Sequence, residues 1–398
     1  MSLKSEKPPF PTTVESHQHN ESLDFFQRSM VELLEKGLPP DYLYSDRQLV
    51  LACGSGNLQL SKDIAAAYSH KYGLGKDLQE TMEPIEQHVF PDGERLPRFS
   101  IPLRNKAVYI IQSPTPARLT ETGQPDLRTG INDLLIELVL MIDAARRASA
   151  SEINIFLPYG PYMRQDRKTR SGEPISASAI LNVLESQGAD SVFMLDPHSK
   201  QSSGNISRPF DLVHASCVFK PVIEELIDIS NLIFLSPDTG GVKMVANYAE
   251  ILCEDEQEIT EKIAVVSKIR NPVTGEISSS PPIGVRPGCD VLVIDDIADS
   301  CGTLISAAQQ AKQAGANKVY AAVVHGLFSG EALDRLHNSD EIEFVLTTNS
   351  IDHRPDIREE INKPDGKIKM VDIAPFLADV IHCLYTGEPL DRFFLDKK

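Results

Sequence analysis

Paired cysteines, long apolar runs and a cationic surplus are all missing from this sequence, and each absence removes a class of function. The six cysteines, Cys53, Cys217, Cys253, Cys289, Cys301 and Cys383, form no CxxC pair and no zinc-type spacing. In a chain of 398 residues they read as free thiols in a reducing compartment. The most apolar stretch, Leu134 to Ile142, is short and carries Glu137, so it suits a core helix and not a membrane span. The opening MSLKSEKPPFPTTVES is polar and the first arginine is Arg28, which fits neither a secretory signal nor a mitochondrial-type presequence. The expected compartment is the cytoplasm, with no membrane partner. Basic residues number 39 against 57 acidic ones, a net charge of −18. A general nucleic-acid or anionic-membrane binder needs the opposite sign over a broad surface, so no nucleic acid is expected as a partner. No GxxxxGK[ST] is present, which argues against a P-loop kinase. The GxG at Gly54–Gly56 has Gln59 where a dinucleotide fingerprint has its third glycine, so that signal is weak.

What remains has the balance of a globular protein, with 41% hydrophobic and 24% charged residues and length enough for two domains. Short β-branched runs mark strands at Gln48–Cys53, Ala107–Gln112, Glu152–Leu157, Ser191–Asp196, Leu232–Ser236, Lys262–Val266, Val291–Asp295, Lys318–Val324 and Glu343–Thr347. Helical patterns fall between them at Leu58–Tyr72, Ile131–Ala148, Ile175–Gln187, Gly241–Leu252 and Gly302–Ala314. Runs such as VLVI and VYAAVV do not alternate, which implies burial on both faces and a parallel sheet covered by helices. The expected fold is α/β, two similar domains, each a mainly parallel sheet flanked by helices. The expected division is an N-terminal extension over 1–45, partly flexible, α/β domains over 46–211 and 212–378, and a C-terminal segment over 379–398 that packs back on the first domain. The extension holds a candidate amphipathic helix at Ser22–Glu35 and a link at Gly37–Tyr42, and a loop rich in Pro, Thr and Gly runs from Pro114 to Gly130.

The segment carrying most chemistry is VLVIDDIADSCGTL, Val291 to Leu304. An apolar strand ends in Asp295 and Asp296, and Asp299, Ser300, Cys301, Gly302 and Thr303 then lead into a helix. At the carboxyl edge of a parallel sheet such a loop faces a ligand crevice, and backbone N–H groups beside a helix N-terminus cradle phosphate. An acidic helix cap explains Asp299 or Ser300 alone, but not two adjacent carboxylates closing a buried strand. PYMRQDRKTR concentrates Arg164, Arg167, Lys168 and Arg170 in one loop, which suits either a polyphosphate or a merely solvated basic face. His198 lies just beyond a strand, and a lone histidine there is more often structural than functional. Asp238 precedes Gly240-Gly241 beyond another strand, and FPDGE reads as a turn and no more.

The pattern from Asp295 to Thr303 resembles the phosphoribosyl diphosphate-binding loop of phosphoribosyltransferases and phosphoribosyl diphosphate synthetases. PYMRQDRK (Pro161–Lys168), DPHSKQ (Asp196–Gln201), SPDTGGVK (Ser236–Lys243) and FPDGE (Phe90–Glu94) resemble the synthetases specifically, the ribose-phosphate diphosphokinases. All five occur in the family's order, and the likeness covers about residues 47–395. The resemblance implies a phosphoribosyltransferase-like fold, with ATP on the 46–211 side and ribose 5-phosphate on the 212–378 side. It gives Arg164 and Gln165 to ATP, with Phe90, Asp92, Gly93 and Glu94 meeting adenosine in a site completed by a neighbouring subunit. Asp295, Asp299, Ser300, Cys301, Gly302 and Thr303 fall to ribose 5-phosphate. His198 and Asp238 fall to Mg2+, directly or through water. Lys268 and Arg270 match a Lys-x-Arg pair that opens a flexible catalytic loop, with Arg270 also at the ribose phosphate. A homo-oligomer, dimer or higher and a hexamer by family analogy, is implied as well. Two other classes compete: a non-catalytic regulatory relative, which decayed site residues would favour, and a phosphoribosyltransferase, which would share only the Asp295–Thr303 loop.

Overall fold

In the computed structural model each of the nine runs read as strands falls on a strand, and the five helical patterns between Leu58 and Ala314 fall on helices. The structure describes residues 48–72, 85–114, 130–198, 204, 206–266, 268–270, 277–279 and 281–393. The Ser22–Glu35 and Gly37–Tyr42 segments and all but the ends of the Pro114–Gly130 loop lie outside them. The first half contains β1 (Leu49–Cys53), α1 (Leu58–Tyr72), β2 (Glu86–Val89), β3 (Arg95–Arg98) and β4 (Ala107–Ile111). It continues with α2 (Ile131–Arg147), β5 (Glu152–Leu157), α3 (Ser176–Gln187), β6 (Ser191–Leu195) and β7 (Phe210–Val213). The second half begins with α4 (Ser216–Leu226), β8 (Leu232–Ser236), α5 (Val242–Leu252), α6 (Glu256–Glu261) and β9 (Ile263–Val265). Next come β10 (Lys268–Arg270), β11 (Ile277–Ser279), β12 (Asp290–Ala298), α7 (Gly302–Gln313) and β13 (Val319–Gly326). The chain closes with α8 (Ala332–His337), β14 (Val345–Thr348), α9 (Pro355–Asn362), β15 (Ile368–Val371) and α10 (Ala374–Thr386).

Two parallel sheets result, ordered β1-β4-β5-β6-β7 and β15-β14-β13-β12-β8-β9. The pairs β2–β3 and β10–β11 form separate antiparallel ribbons. LVLAC of β1, LIFLS of β8 and VYAAVVHG of β13 are buried at every position, because helices cover both faces of each sheet. One core joins α2 and α3 to the first sheet, and another joins α7, α8 and α9 to the second. The third and largest packs the remaining face of both sheets around α1, α4, α5 and α10. Helix α10 lies against α1, where Lys71 Nζ pairs with Asp379 at 2.6 Å and the Tyr72 and His382 rings stack 3.6 Å apart.

Strands β7 and β15 escape a sequence reading because each is a short edge strand with partly exposed residues, too brief to show a period. Strand β12 is longer than its apolar run suggests. It does not stop at Asp295 but continues through Ala298, where Ile297 and Ala298 pair with His325 and Gly326 of β13.

Candidate functional site

Parallel strands send their carboxyl ends to one side, so the loops after β5, β6, β8 and β12 can meet. Four of them do. A cavity of about 250 Å3 is lined by Arg164, His198, Asp238, Asp295 and Asp296 together with Asp299, Ser300, Cys301, Gly302 and Thr303. Residues far apart in sequence thus share one space.

The turn after β12 is held from behind. Ser329 N donates to the Asp299 carbonyl at 2.9 Å, and Arg335 Nη1 donates to the Ser300 carbonyl at 3.2 Å. Cys301 adopts a left-handed backbone with φ 61° and is buried, a conformation that a non-glycine residue holds only when its surroundings fix it. Burial pushes its thiol up to about 12, so the sulfur stays a neutral packing group. What the turn offers a ligand is its backbone and hydroxyls, with α7 beginning at Gly302.

The two carboxylates of β12 differ in character. Burial, then the neighbouring Asp296 charge, raises the Asp295 carboxyl to about 8. Burial is the largest single influence on Asp296 and acts in the same direction. The His198 hydrogen bond and charge, joined by the Asp295 hydrogen bond and the electrostatic pull of His325, together outweigh it and leave that carboxyl below its ordinary range. His198 Nδ1 lies 2.7 Å from Asp296 Oδ2, and this bond raises the imidazole in turn. The sequence shows Asp296 beside Asp295 but not that it holds His198. Asp238 caps its own turn, with Oδ1 accepting from Gly240 N at 2.8 Å and Gly241 N at 3.1 Å.

Arg164 Nη1 donates to Asp299 Oδ2 at 2.8 Å and so spans the halves. Arg164 and Asp299 also border a second cavity of about 810 Å3, which Gln165, Asn132, Tyr162 and Ser176 help to line. Gln165 Oε1 accepts from Ser176 Oγ at 3.0 Å, which fixes the amide at that wall. Sequence reasoning missed Asn132, Tyr162 and Ser176 because nothing in their local pattern marks them.

One predicted group lines neither cavity, and the side chains of another lie outside the described structure. Phe90, Asp92, Gly93 and Glu94 form the exposed tip of the β2–β3 ribbon, closed by Gly93 N to the Phe90 carbonyl at 2.9 Å, and line neither cavity. Lys268 and Arg270 lie in β10, paired opposite Ser279 and Ile277. Their side chains, and residues 271–276 beyond them, fall outside the described structure. The Gly54–Gly56 pair serves packing: a Cβ on Gly54 would lie 2.4 Å from the Gln112 amide oxygen.

Two parallel sheets whose edge loops gather paired carboxylates, a phosphate-type cradle and an arginine define a phosphoribosyltransferase-like α/β protein. The chain belongs to the ribose-phosphate pyrophosphokinase family. A family model for the N-terminal domain of ribose phosphate pyrophosphokinase matches residues 49–188, and one for a phosphoribosyl synthetase-associated domain matches 255–395. A ribose-phosphate pyrophosphokinase of Chlorobaculum tepidum is 33% identical over 87% of this chain and 95% of its own length. Ribose-phosphate pyrophosphokinase A of Dictyostelium discoideum is 35% identical over 82% of this chain and 94% of its own. The crystal structure of phosphoribosylpyrophosphate synthetase from Mycobacterium smegmatis superposes with a TM-score of 0.70 at 28% identity, covering 86% of this chain and all of that one.

Proposed function

We propose that the chain is a ribose-phosphate diphosphokinase that moves the β,γ-diphosphate of ATP to the 1-hydroxyl of ribose 5-phosphate, giving 5-phosphoribosyl 1-diphosphate and AMP. The observation that carries this reading is the one cavity in which Arg164, His198, Asp238 and the Asp295–Thr303 segment meet. In that reading Asp299, Ser300, Cys301, Gly302 and Thr303 bind the phosphate of ribose 5-phosphate through backbone and hydroxyls, and Asp295 accepts from a ribose hydroxyl. Arg164 and Gln165 hold ATP, with Arg164 at the boundary of both cavities. The exposed FPDGE tip, which lines neither cavity, is consistent with service to a neighbouring subunit's nucleotide in a homo-oligomer. The anomeric oxygen attacks the β-phosphorus, the bond to the α-phosphate oxygen breaks, AMP leaves with the electron pair, and the hydroxyl proton passes to solvent. Such a step needs position and charge neutralisation more than a protein nucleophile. Lys268 supplies positive charge to the transition state and Arg270 assists at the ribose phosphate.

The donor set fits Mg2+. His198, Asp238 and two β12 carboxylates share the cavity, and the raised Asp295 carboxyl marks an anionic cost that a cation would relieve. Among the described residues no three His, Cys, Asp or Glu side chains group closely enough to cage an ion. That suits Mg2+, which keeps waters and takes phosphate oxygens. When bound, the cation neutralises charge on the diphosphate. Free thiols and the absence, among the described residues, of a helix long and apolar enough to cross a membrane support a cytoplasmic setting.

The test is direct. The purified chain, given Mg2+, ATP and ribose 5-phosphate, forms AMP and 5-phosphoribosyl 1-diphosphate in equal amounts by 31P NMR and chromatography, and EDTA stops both. No AMP under these conditions would favour the non-catalytic relative. Diphosphate release from added 5-phosphoribosyl 1-diphosphate on a nucleobase would favour a phosphoribosyltransferase.

A further inference from the structure

Behind the cavity a single imidazole ties the two halves together. His325 lies near the end of β13, opposite Ile297 of β12, and is 2% exposed. Its Nε2 is 3.1 Å from the Leu195 carbonyl oxygen, so that nitrogen carries the proton. Its Nδ1 is 2.9 Å from Ser350 Oγ and accepts from that hydroxyl. Leu195 closes β6, and Asp196, Pro197 and His198 follow it directly. The His325 ring also meets Tyr159 edge-on with centroids 5.2 Å apart, and Tyr159 stands in the loop that carries Arg164. A side chain rooted in the second sheet therefore touches both loops that the first sheet sends to the cavity. The same seam is closed by Ser113 Oγ donating to the Ser350 carbonyl and by Asn57 Nδ2 donating to the Asn349 carbonyl at 2.8 Å.

We propose that His325 is a positioning residue that fixes the distance between the His198 and Arg164 loops on one side of the cleft and the Asp299–Thr303 turn on the other. It does not line the cavity; it acts through Leu195 and Tyr159. The inference rests on reading the cleft as a diphosphokinase site. An imidazole suits the post because one flat ring offers a donor, an acceptor and a packing face together. Phenylalanine keeps the face and loses both hydrogen bonds: the buried Leu195 carbonyl loses its imidazole donor, whereas Ser350 Oγ keeps Thr348 Oγ1 at 2.9 Å and the Val324 carbonyl at 3.5 Å. Glutamine keeps a donor able to reach the Leu195 carbonyl.

The experiment compares wild type, His325→Phe, His325→Gln and Ser350→Ala for kcat, for KM of each substrate and for ribose 5-phosphate affinity by calorimetry without nucleotide. His325→Phe is expected to lower kcat by about 10- to 100-fold, the range for residues that orient those at a site. Ribose 5-phosphate affinity should stay within about twofold, since the turn that cradles it belongs to the same half as His325. His325→Gln should regain most of the lost turnover. The proposal is overturned if His325→Phe turns over like wild type, if His325→Gln is as impaired as His325→Phe, or if ribose 5-phosphate affinity falls in step with kcat. Should His325→Phe fail to fold by circular dichroism, Ser350→Ala and His325→Gln decide the matter. Ser350→Ala removes the partner of His325 Nδ1 and a partner of Thr348 Oγ1, and leaves the Leu195 bond in place. A several-fold drop in its kcat at unchanged sugar affinity, with His325→Gln near wild type, supports positioning. Unchanged kcat in Ser350→Ala, or a His325→Gln far below wild type, overturns it. Absence of turnover in the wild type itself overturns the diphosphokinase reading, and this inference with it.

Discussion

His353 is sealed against Phe328, ring centroids 5.9 Å apart, and is 7% exposed, with neither ring nitrogen hydrogen-bonded among the described residues. Burial pulls the imidazole down to about 4. An unfolded chain binds that proton near pH 6.5, whereas the folded chain refuses it until about pH 4. The stabilisation is therefore complete above the unfolded value and is lost as pH falls from there toward 4. Integrated over that window the loss is on the order of 2–3 kcal/mol. His353→Phe, which keeps the ring contact and removes the proton site, should flatten the acid limb, read as urea midpoints at pH 7 and pH 4.5. An equal fall in both proteins would show that other groups set the limb. Single residues also mark the limit of local reading. Asp295, Asp299 and the turn to Thr303 are legible because they are contiguous and their neighbours dictate the strand and helix around them. The 98-residue link from His198 to Asp296, and the role of His325, are not legible, since no local pattern encodes a partner across the fold.

At the scale of elements, Glu137 shows how a charge in an apolar helix is accommodated. It is fully buried on α2 and accepts from Ser55 N at 2.6 Å, Ser55 Oγ at 2.5 Å, Gln112 Nε2 at 3.2 Å and Arg95 Nη1 at 2.9 Å. Arg95 opens β3, next to the FPDGE tip, so the bond joins helix, ribbon and the loop after β1. Removing one member strands a buried charge, whereas replacing both by apolar groups removes the need for it. Glu137→Ala should lower the unfolding free energy by about 3–5 kcal/mol in urea titrations. Glu137→Leu with Arg95→Leu should cost less than either single change. A double variant as damaged as the sum would show that the pair contributes through packing alone. The sequence marks Leu134–Ile142 as a core helix despite its acid, and Arg95, far away, supplies the reason.

At the scale of the whole molecule, both sheets share the core that α10 completes. Leu377, fully buried there, lines neither cavity. Leu377→Ala should destabilise by about 2–5 kcal/mol through the lost transfer and the cavity left behind. Because that core is continuous across both halves, hydrogen exchange should report loss of protection in β4 and β13 together, in wild type and variant alike. Separate transitions would mean that each half keeps its own stability. By itself the sequence determined what local physics dictates: strand–helix alternation, burial of both sheet faces in the unalternating runs, and the acidic phosphate-type loop at Asp295–Thr303. Only the tertiary structure decided that loops after four different strands enclose one cavity, that the FPDGE tip does not line it, and that His325 spans the seam. Those are distances between segments remote in the chain, and they are fixed by the packing of the shared core, which no short window of residues contains.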